Sequence, residues 1–377
     1  MPLYNFVYRN SATPKIAKSE AASRGRGERR GKPDREMTQM RQRRLSFAAL
    51  SLAAGMAALI CGETGARAEQ RLVIYSANDS TLNDLVFDAF TKETGIKVES
   101  ISTGSGVLMK RIQAEKDNPQ GDIIWGVSRS LLQTNKAYFA PYKSKENAAI
   151  PQDFLDPENL WTGTNVHILV VTQNTKVIPA DEGPKSWGDL LDPRYKGKIA
   201  FTDPANSGSA FTNATLLVDH WGGGEVGWDK LKALFANTRI LNRSTLVFQG
   251  VGTGEYGLGM SLEYAGALWA SNGAPVTNIY PADGTLALME GVAILKNDPN
   301  PEAAKTFVDY INRKDICEMM LKATFRRPAR QDLDLAHLPG NMPPLSSLKL
   351  LSYDENGWTA KRQQTLEKLK GIIQETR

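Results

Sequence analysis

Leu72-Val73-Ile74-Tyr75-Ser76 and Gly121-Asp122-Ile123-Ile124-Trp125-Gly126 are two short apolar runs that read as buried strands. Between them, Thr81 to Thr94 places Leu82, Leu85, Val86, Ala89 and Phe90 at helical spacing and stops at Gly95. Ile96-Lys97-Val98-Glu99-Ser100-Ile101 then alternates like a strand, and Val107 to Lys116 repeats the helical pattern. This β-α-β-α-β order predicts a parallel, doubly wound α/β sheet.

Further along, Val166-His167-Ile168-Leu169-Val170-Val171 is a long apolar strand, and Ile199-Ala200-Phe201 opens a second α/β unit that runs to about Ile279. Gly291-Val292-Ala293-Ile294-Leu295 reads as a strand returning to the first unit. Pro301 to Asn312 is amphipathic, with Ala304, Phe307, Val308 and Ile311 on one face, and a final helix covers about Ala360 to Gln374. The expected division is lobe 1 from 69–168 and 285–335, and lobe 2 from 169–284 and 336–377.

Upstream of the first strand the chain changes character. Arg41, Arg43 and Arg44 precede an apolar run from Phe47 to Ile60 and then Ala66-Arg67-Ala68. A basic segment, a short apolar core and a small-x-small site are the parts of an export signal, with cleavage expected near Ala68. The run is shorter than the ~20 residues needed to span a bilayer. Residues 1–36 show no apolar periodicity and read as an over-long start, with Met37 or Met40 as initiator. Arg43-Arg44 leaves both Sec and twin-arginine export open.

Charge follows the same boundary. The chain holds 46 Lys+Arg and 41 Asp+Glu, of which residues 1–68 hold 13 and 5. The remainder carries 33 against 36, a net −3, so the basic pI belongs to the leader and gives no basic stripe for nucleic acid. Cys61 leaves with the leader and Cys317 stays alone, so no internal disulfide is expected and the core carries stability.

Catalytic and cofactor patterns fail on their surroundings. Gly126-Val127-Ser128-Arg129-Ser130 lacks the closing glycine of a nucleophile elbow. Gly222 to Gly227 and Gly252 to Gly257 match GxGxxG by letter, but the first follows a helix and the second precedes a strand, the reverse of a dinucleotide site. His167, His220 and His337 stand without ligand-spaced partners, so no metal site and no cofactor are expected.

Small-residue turns that follow strands and open helices carry more information. They are Ser76-Ala77-Asn78, Thr103-Gly104-Ser105-Gly106, Gly126-Val127-Ser128, and Asp203 to Ala210 with its Ser207-Gly208-Ser209 core. In parallel α/β sheets such turns lie at the carboxyl edge, where ligands bind. Helix N-termini there present unpaired N–H groups that hold phosphate or carboxylate. Each turn alone is also explained by ordinary helix capping. Four of them, divided between two units, point to an anion cleft.

These segments also carry a resemblance. Residues 71–335 resemble a solute-binding protein of an ABC importer, in the branch of ferric-ion, 2-aminoethylphosphonate and hexose-phosphate binders. The matching features include Leu72 to Ser76, Phe90-x-x-x-Thr94-Gly95-Ile96-Lys97-Val98, Ser105 to Ile112, and Gly121 to Gly126. Trp187-x-Asp189-Leu190-x-Asp192-Pro193-x-Tyr195-Lys196-Gly197 and Arg327-Pro328-x-Arg330-x-Asp332 complete the set. The resemblance implies a two-lobed periplasmic binding protein of type II. Each lobe is a doubly wound sheet, and the lobes close on a solute by hinge motion.

Ferric members of the branch carry two consecutive tyrosines where this chain has Glu263-Tyr264, so iron ranks below an organic phosphate. The resemblance therefore implies a monomeric periplasmic receptor, not an enzyme, that passes a small phosphorylated or phosphonate anion to a membrane ABC permease. Thr103, Ser105, Gly106, Ser207, Gly208 and Ser209 are expected to hold the anion. Ser76, Asn78, Trp125 and Ser128 are expected to form the first-lobe wall, and Asp203, Glu263 and Tyr264 to read the organic part. Arg327 and Arg330 are read as a solvated turn. A ferric receptor, a polyamine or thiamine receptor and an exported hydrolase remain as alternatives.

Overall fold

The computed structural model describes residues 70–335 and 337–376. The export segment and its cleavage near Ala68 lie outside the described residues.

In chain order the elements begin with β1 (Arg71–Ser76), α1 (Ser80–Thr94), β2 (Lys97–Ser102), α2 (Ser105–Ala114), β3 (Ile123–Ser128), α3 (Arg129–Thr134), β4 (Phe139–Ala140) and β5 (Thr162–Asn174). They continue with β6 (Ile199–Thr202), α4 (Gly208–His220), α5 (Gly224–Asn237), β7 (Thr238–Leu241), α6 (Ser244–Thr253), β8 (Leu258–Leu262), α7 (Glu263–Ser271) and β9 (Val276–Ile279). The chain ends with β10 (Ala287–Leu295), α8 (Pro301–Ile311), α9 (Lys314–Thr324), β11 (Arg327–Pro328), α10 (Glu355–Ala360) and α11 (Arg362–Glu375).

The strand order is β2-β1-β3-β10-β5-β8-β6-β7. β1 pairs in parallel with β2 and β3, and β6 pairs in parallel with β7 and β8. β10 runs antiparallel to both β3 and β5, so the sheet is mixed rather than purely parallel. The reason is connectivity: β10 enters the first lobe from the second, against the direction of the crossover strands.

The first-lobe strands are packed on both faces. Ile74, Ile123, Trp125, Val292 and Ile294 face one cluster with α1, α8 and α9 side chains such as Phe90, Phe307 and Met320. Their neighbours Tyr75, Ile124, Val127, Ala293 and Leu295 face the other, with Leu108, Met109 and Ile112 of α2. This alternation is the period-2 geometry of a strand. Local signals set the ends of α1: Asp79 accepts from the Leu82 N–H at 3.1 Å, and Gly95 closes the helix at φ 75°. A separate core in the second lobe joins Leu169, Phe201, Phe211 and Leu234 to Leu369, Ile372 and Ile373 of α11.

β5 is the element that the two lobes share. Its first part pairs with β10 and its second with β8 and β9. It is buried along all thirteen residues, twice the length that its apolar run predicts. Several of the extra residues are polar and bonded: Thr164 Oγ1 donates to Glu290 O, Gln173 Nε2 to Ile178 O, and Asn174 Nδ2 to Val251 O, while the buried Asn165 amide has no side-chain partner. Buried strand ends of this kind carry no hydrophobic pattern.

Candidate functional site

The carboxyl ends of β1, β2, β6, β7 and β8 each release the chain into a helix N-terminus, and the turns converge on one cavity. Asn78, Thr103, Gly104, Ser105 and Gly126 form one wall. Ser207, Ser209, Arg243, Ser244, Thr245, Phe248, Leu262 and Tyr264 form the other, with Glu290 also on the lining. The space open to the centre of a water molecule is about 60 Å³, room for a few water-sized groups.

Its polar lining is dominated by hydroxyls. Ser207 Oγ caps α4 by accepting from the Ala210 N–H at 3.3 Å and lies 3.1 Å from Ser209 Oγ. Thr202 Oγ1 donates to Ser244 Oγ at 3.1 Å, which donates onward to Ser207 Oγ at 3.4 Å. Either hydroxyl of the Ser207–Ser209 pair can be the donor.

The charges on the lining are Arg243 and Glu290. Glu290 is bound to His167 Nε2 at 2.9 Å. The exposed Arg243 guanidinium has no ion pair or hydrogen bond among the described residues. Helix N-termini add partial positive charge, so the cavity is electropositive. Tyr264 is buried, and that burial pushes its phenol above the ordinary tyrosine range. At neutral pH it is an O–H donor. The Arg326 guanidinium stacks 3.7 Å from the Tyr264 ring centre and binds Asp79 at 2.5 Å. Burial opposes ionisation of Asp79, but Arg326 outweighs it and holds this carboxyl below its usual range.

The expected site residues divide in two. Asn78, Thr103, Ser105, Ser207, Ser209 and Tyr264 line the cavity. Ser76, Gly106, Trp125, Ser128, Asp203, Gly208 and Glu263 do not.

Each of the second group has another position. Ser76 Oγ is bonded to Asn83 Oδ1 at 2.7 Å beneath the first turn. Trp125 is fully buried among Phe87 and Phe307 and presents no face to solute. Asp203 accepts from the Ala205 N–H at 2.9 Å and holds the turn. Glu263 is 1 % exposed and is bound by Arg327 and Tyr280.

Gly106, Gly208 and Ser128 lie where the lobes touch. The Gly106 N–H donates to Asn206 O at 3.2 Å, and the Gly208 N–H donates to Ser105 Oγ at 3.0 Å. A Cβ at Gly106 would stand 2.2 Å from Ala205 O, and one at Gly208 would stand 2.3 Å from Ser128 Oγ. At Gly106 glycine is required because two backbones meet there, and at Gly208 because the Ser128 side chain fills the space.

Arg327 and Arg330 are not a solvated turn. Arg327 is buried against Glu263, and Arg330 is buried against Asp332 and Glu146. Sequence reading missed Arg243, Ser244, Thr245, Phe248 and Glu290. Arg243 to Thr245 obey the same strand, turn, helix rule, but β7 is only Thr238-Arg239-Ile240-Leu241, too short and polar to register as a strand. Among the described residues, no group of three or more His, Cys, Asp and Glu side chains is placed to hold a metal ion.

Residues 118–355 match the family of bacterial extracellular solute-binding proteins, and this chain belongs to it. A Haemophilus influenzae protein of uncharacterised function is 31% identical over 86% of this chain and 95% of its own length. A putative 2-aminoethylphosphonate-binding periplasmic protein of Salmonella typhimurium is 24% identical over 71% of this chain and 81% of its own. An Fe(3+)-binding periplasmic protein of Serratia marcescens is 25% identical over 74% and 85%. The periplasmic binding protein AfuA of Actinobacillus pleuropneumoniae, solved with fructose 6-phosphate bound, superposes with a TM-score of 0.74 at 28% identity, covering 81% of this chain and 99% of that one. The fold is therefore the two-lobed, type II periplasmic binding architecture. The family consists of transport receptors that bind small solutes for ABC importers.

Proposed function

We propose that this protein captures a small organic phosphorus oxyanion, a phosphonate or phosphate monoester, outside the cytoplasm and delivers it to an ABC permease. The observation that carries this reading is the charge pattern of the cavity. Helix N-termini and seven hydroxyl side chains surround one unpaired cation, Arg243, and the one carboxylate on the lining is engaged by His167. Such a lining stabilises a multivalent oxyanion, with Glu290 the single acidic group that opposes it. Thr103, Ser105, Ser207, Ser209, Ser244 and Thr245 hold the anion, and Arg243 neutralises it.

The relatives named for 2-aminoethylphosphonate and fructose 6-phosphate support this assignment. An Fe(3+)-binding relative is equally similar in sequence, so the choice against iron rests on the site. Glu263 is held by Arg327, and Tyr264 stands alone as a protonated phenol under Arg326. A polyamine would face Arg243 and the helix N-termini.

Capture takes place by closure of the lobes about β5, the 280–286 connection and the segment after β11, with lobe boundaries near 168/169 and 284/285. The receptor acts as a monomer, exported with its leader removed near Ala68, and without a cofactor. Mass spectrometry of solute released from protein purified in phosphate-free buffer tests the reading. A phosphorus-containing small molecule is expected; stoichiometric iron or a polyamine overturns it.

A further inference from the structure

Among the described residues, Glu290 is the one acidic side chain on a lining whose other polar side chains are hydroxyls, an amide and a guanidinium. It lies on β10 between the buried residues Met289 and Gly291, and its own side chain keeps 13 % exposure, which opens to the cavity. Oε2 meets His167 Nε2 at 2.9 Å, and Oε1 has no hydrogen-bond partner among the described residues. The charged and titratable groups around this carboxylate are His167 of β5, Tyr264 of α7 and Arg326 before β11, with Arg243 also on the cavity lining.

The sheet sets Glu290 close to the hydroxyls that hold the anion. It is paired with Ser128 of β3 on one side and with Asn165 of β5 on the other. Directly opposed residues of antiparallel strands have Cα atoms about 4.5–5.5 Å apart and side chains on one face. Ser128 in turn lies against the start of α4, where a Cβ at Gly208 would stand 2.3 Å from Ser128 Oγ. The carboxylate is thus one strand spacing from the residue on which the α4 N-terminus rests. In a cavity open to water-sized centres over about 60 Å³, a tetrahedral oxyanion held by Ser207 and Ser209 is also a neighbour of Glu290.

An ionised carboxylate beside an oxyanion is repulsive unless a proton lies between their oxygens, where it forms a strong O–H···O⁻ hydrogen bond. A phosphate monoester keeps one such proton up to a second pKa of about 6, whereas sulfate esters and sulfonates carry none at neutral pH. We infer that Glu290 is the selectivity residue of the cavity: it accepts a hydrogen bond from the P–OH of a singly protonated phosphorus oxyanion and excludes sulfur oxyanions of the same shape. The inference rests on the oxyanion reading above and narrows it to one ionisation state. Above the second pKa of the free solute, binding takes up one proton from solution, and that proton stays on the bound oxyanion.

Isosteric pairs test this by calorimetry on wild type and Glu290→Gln: inorganic phosphate with sulfate, 2-aminoethylphosphonate with 2-aminoethanesulfonate, and fructose 6-phosphate with fructose 6-sulfate. Each phosphorus compound that wild type binds is expected to bind at least tenfold more tightly than its sulfur counterpart. Glu290→Gln, whose amide can donate, should bring the two within about threefold. ³¹P NMR of the bound compound at pH 8 should give the shift of the monoanion in wild type and of the dianion in Glu290→Gln. Equal wild-type affinities within the pairs, a dianion shift in wild type, or a preference that survives in Glu290→Gln overturns the inference and leaves the oxyanion reading standing. Should Glu290→Gln not fold, the wild-type ratios and the bound ³¹P shift decide. Failure of wild type to bind any of the three phosphorus compounds overturns the oxyanion reading itself, and this inference with it.

Discussion

Arg327 and Glu263 meet side by side in the interior, with Nε to Oε2 at 2.6 Å and Nη2 to Oε1 at 2.7 Å. Arg327 Nη2 also donates to Pro343 O, and Tyr280 Oη donates to Glu263 Oε1. The pair therefore ties α7 to β11, to the connection after β9 and to the segment leading to α10. Among these are passages proposed above as crossings between the lobes.

Removing one member strands the other as a buried charge. Arg327→Ala is expected to destabilise the protein by about 3–5 kcal/mol, whereas Arg327→Met combined with Glu263→Leu should lose much less. Urea unfolding of the single and double variants measures the difference.

The closure proposed above brings the lobes into contact at Gly106 and Gly208. Alanine at Gly106 collides with Ala205 O, which cannot swing aside as a side chain could. Gly106→Ala is expected to hold the lobes apart and weaken ligand binding at least tenfold with little change in melting temperature. Small-angle scattering should show a radius of gyration that no longer falls when ligand is added.

Arg243 lines the cavity from an exposed position, so its contribution to the proposed anion binding is screened by salt. A charge-assisted hydrogen bond contributes roughly 1.5–3 kcal/mol, so Arg243→Ala should weaken oxyanion binding about ten- to a hundredfold. The affinity of wild type should fall as ionic strength rises, and that of the variant should change less. Titration at low and high salt provides the check.

Asp298 gives the pH dependence a definite sign. Burial, reinforced by the neighbouring Asp122 carboxylate, raises its pKa to about 6 from 3.8. A carboxyl harder to ionise in the folded state binds more protons there between these values. Stability therefore falls as pH rises from about 4 to about 6. Partial exposure reduces the effect, so Asp298→Asn should stabilise by about 1 kcal/mol at neutral pH and by nothing below pH 4. Thermal melts across that range test it.

The legible parts of the chain were those whose apolar residues keep a period. β1, α1, β3 and α8 announce themselves because each has a core face and a polar interval. β5 was read at half length because Thr162 to Asn165 and Thr172 to Asn174 are buried without any apolar pattern. Turn chemistry led to Thr103, Ser105, Ser207 and Ser209, since small polar residues after a strand state their geometry locally. It failed for Arg243, behind a four-residue strand, and for Glu290, inside one. Glu263 and Arg327 are 64 positions apart, and nothing local in either stretch reveals a pairing that only the fold creates.

The most direct measurement is calorimetry of the purified protein with 2-aminoethylphosphonate, fructose 6-phosphate, inorganic phosphate, Fe³⁺ citrate and spermidine, repeated with Ser209→Ala. The account predicts saturable binding of at least one phosphorus oxyanion that weakens about ten- to a hundredfold in Ser209→Ala. Binding of Fe³⁺ with a tyrosinate charge-transfer band, or of spermidine alone, with every phosphorus compound silent, would contradict it.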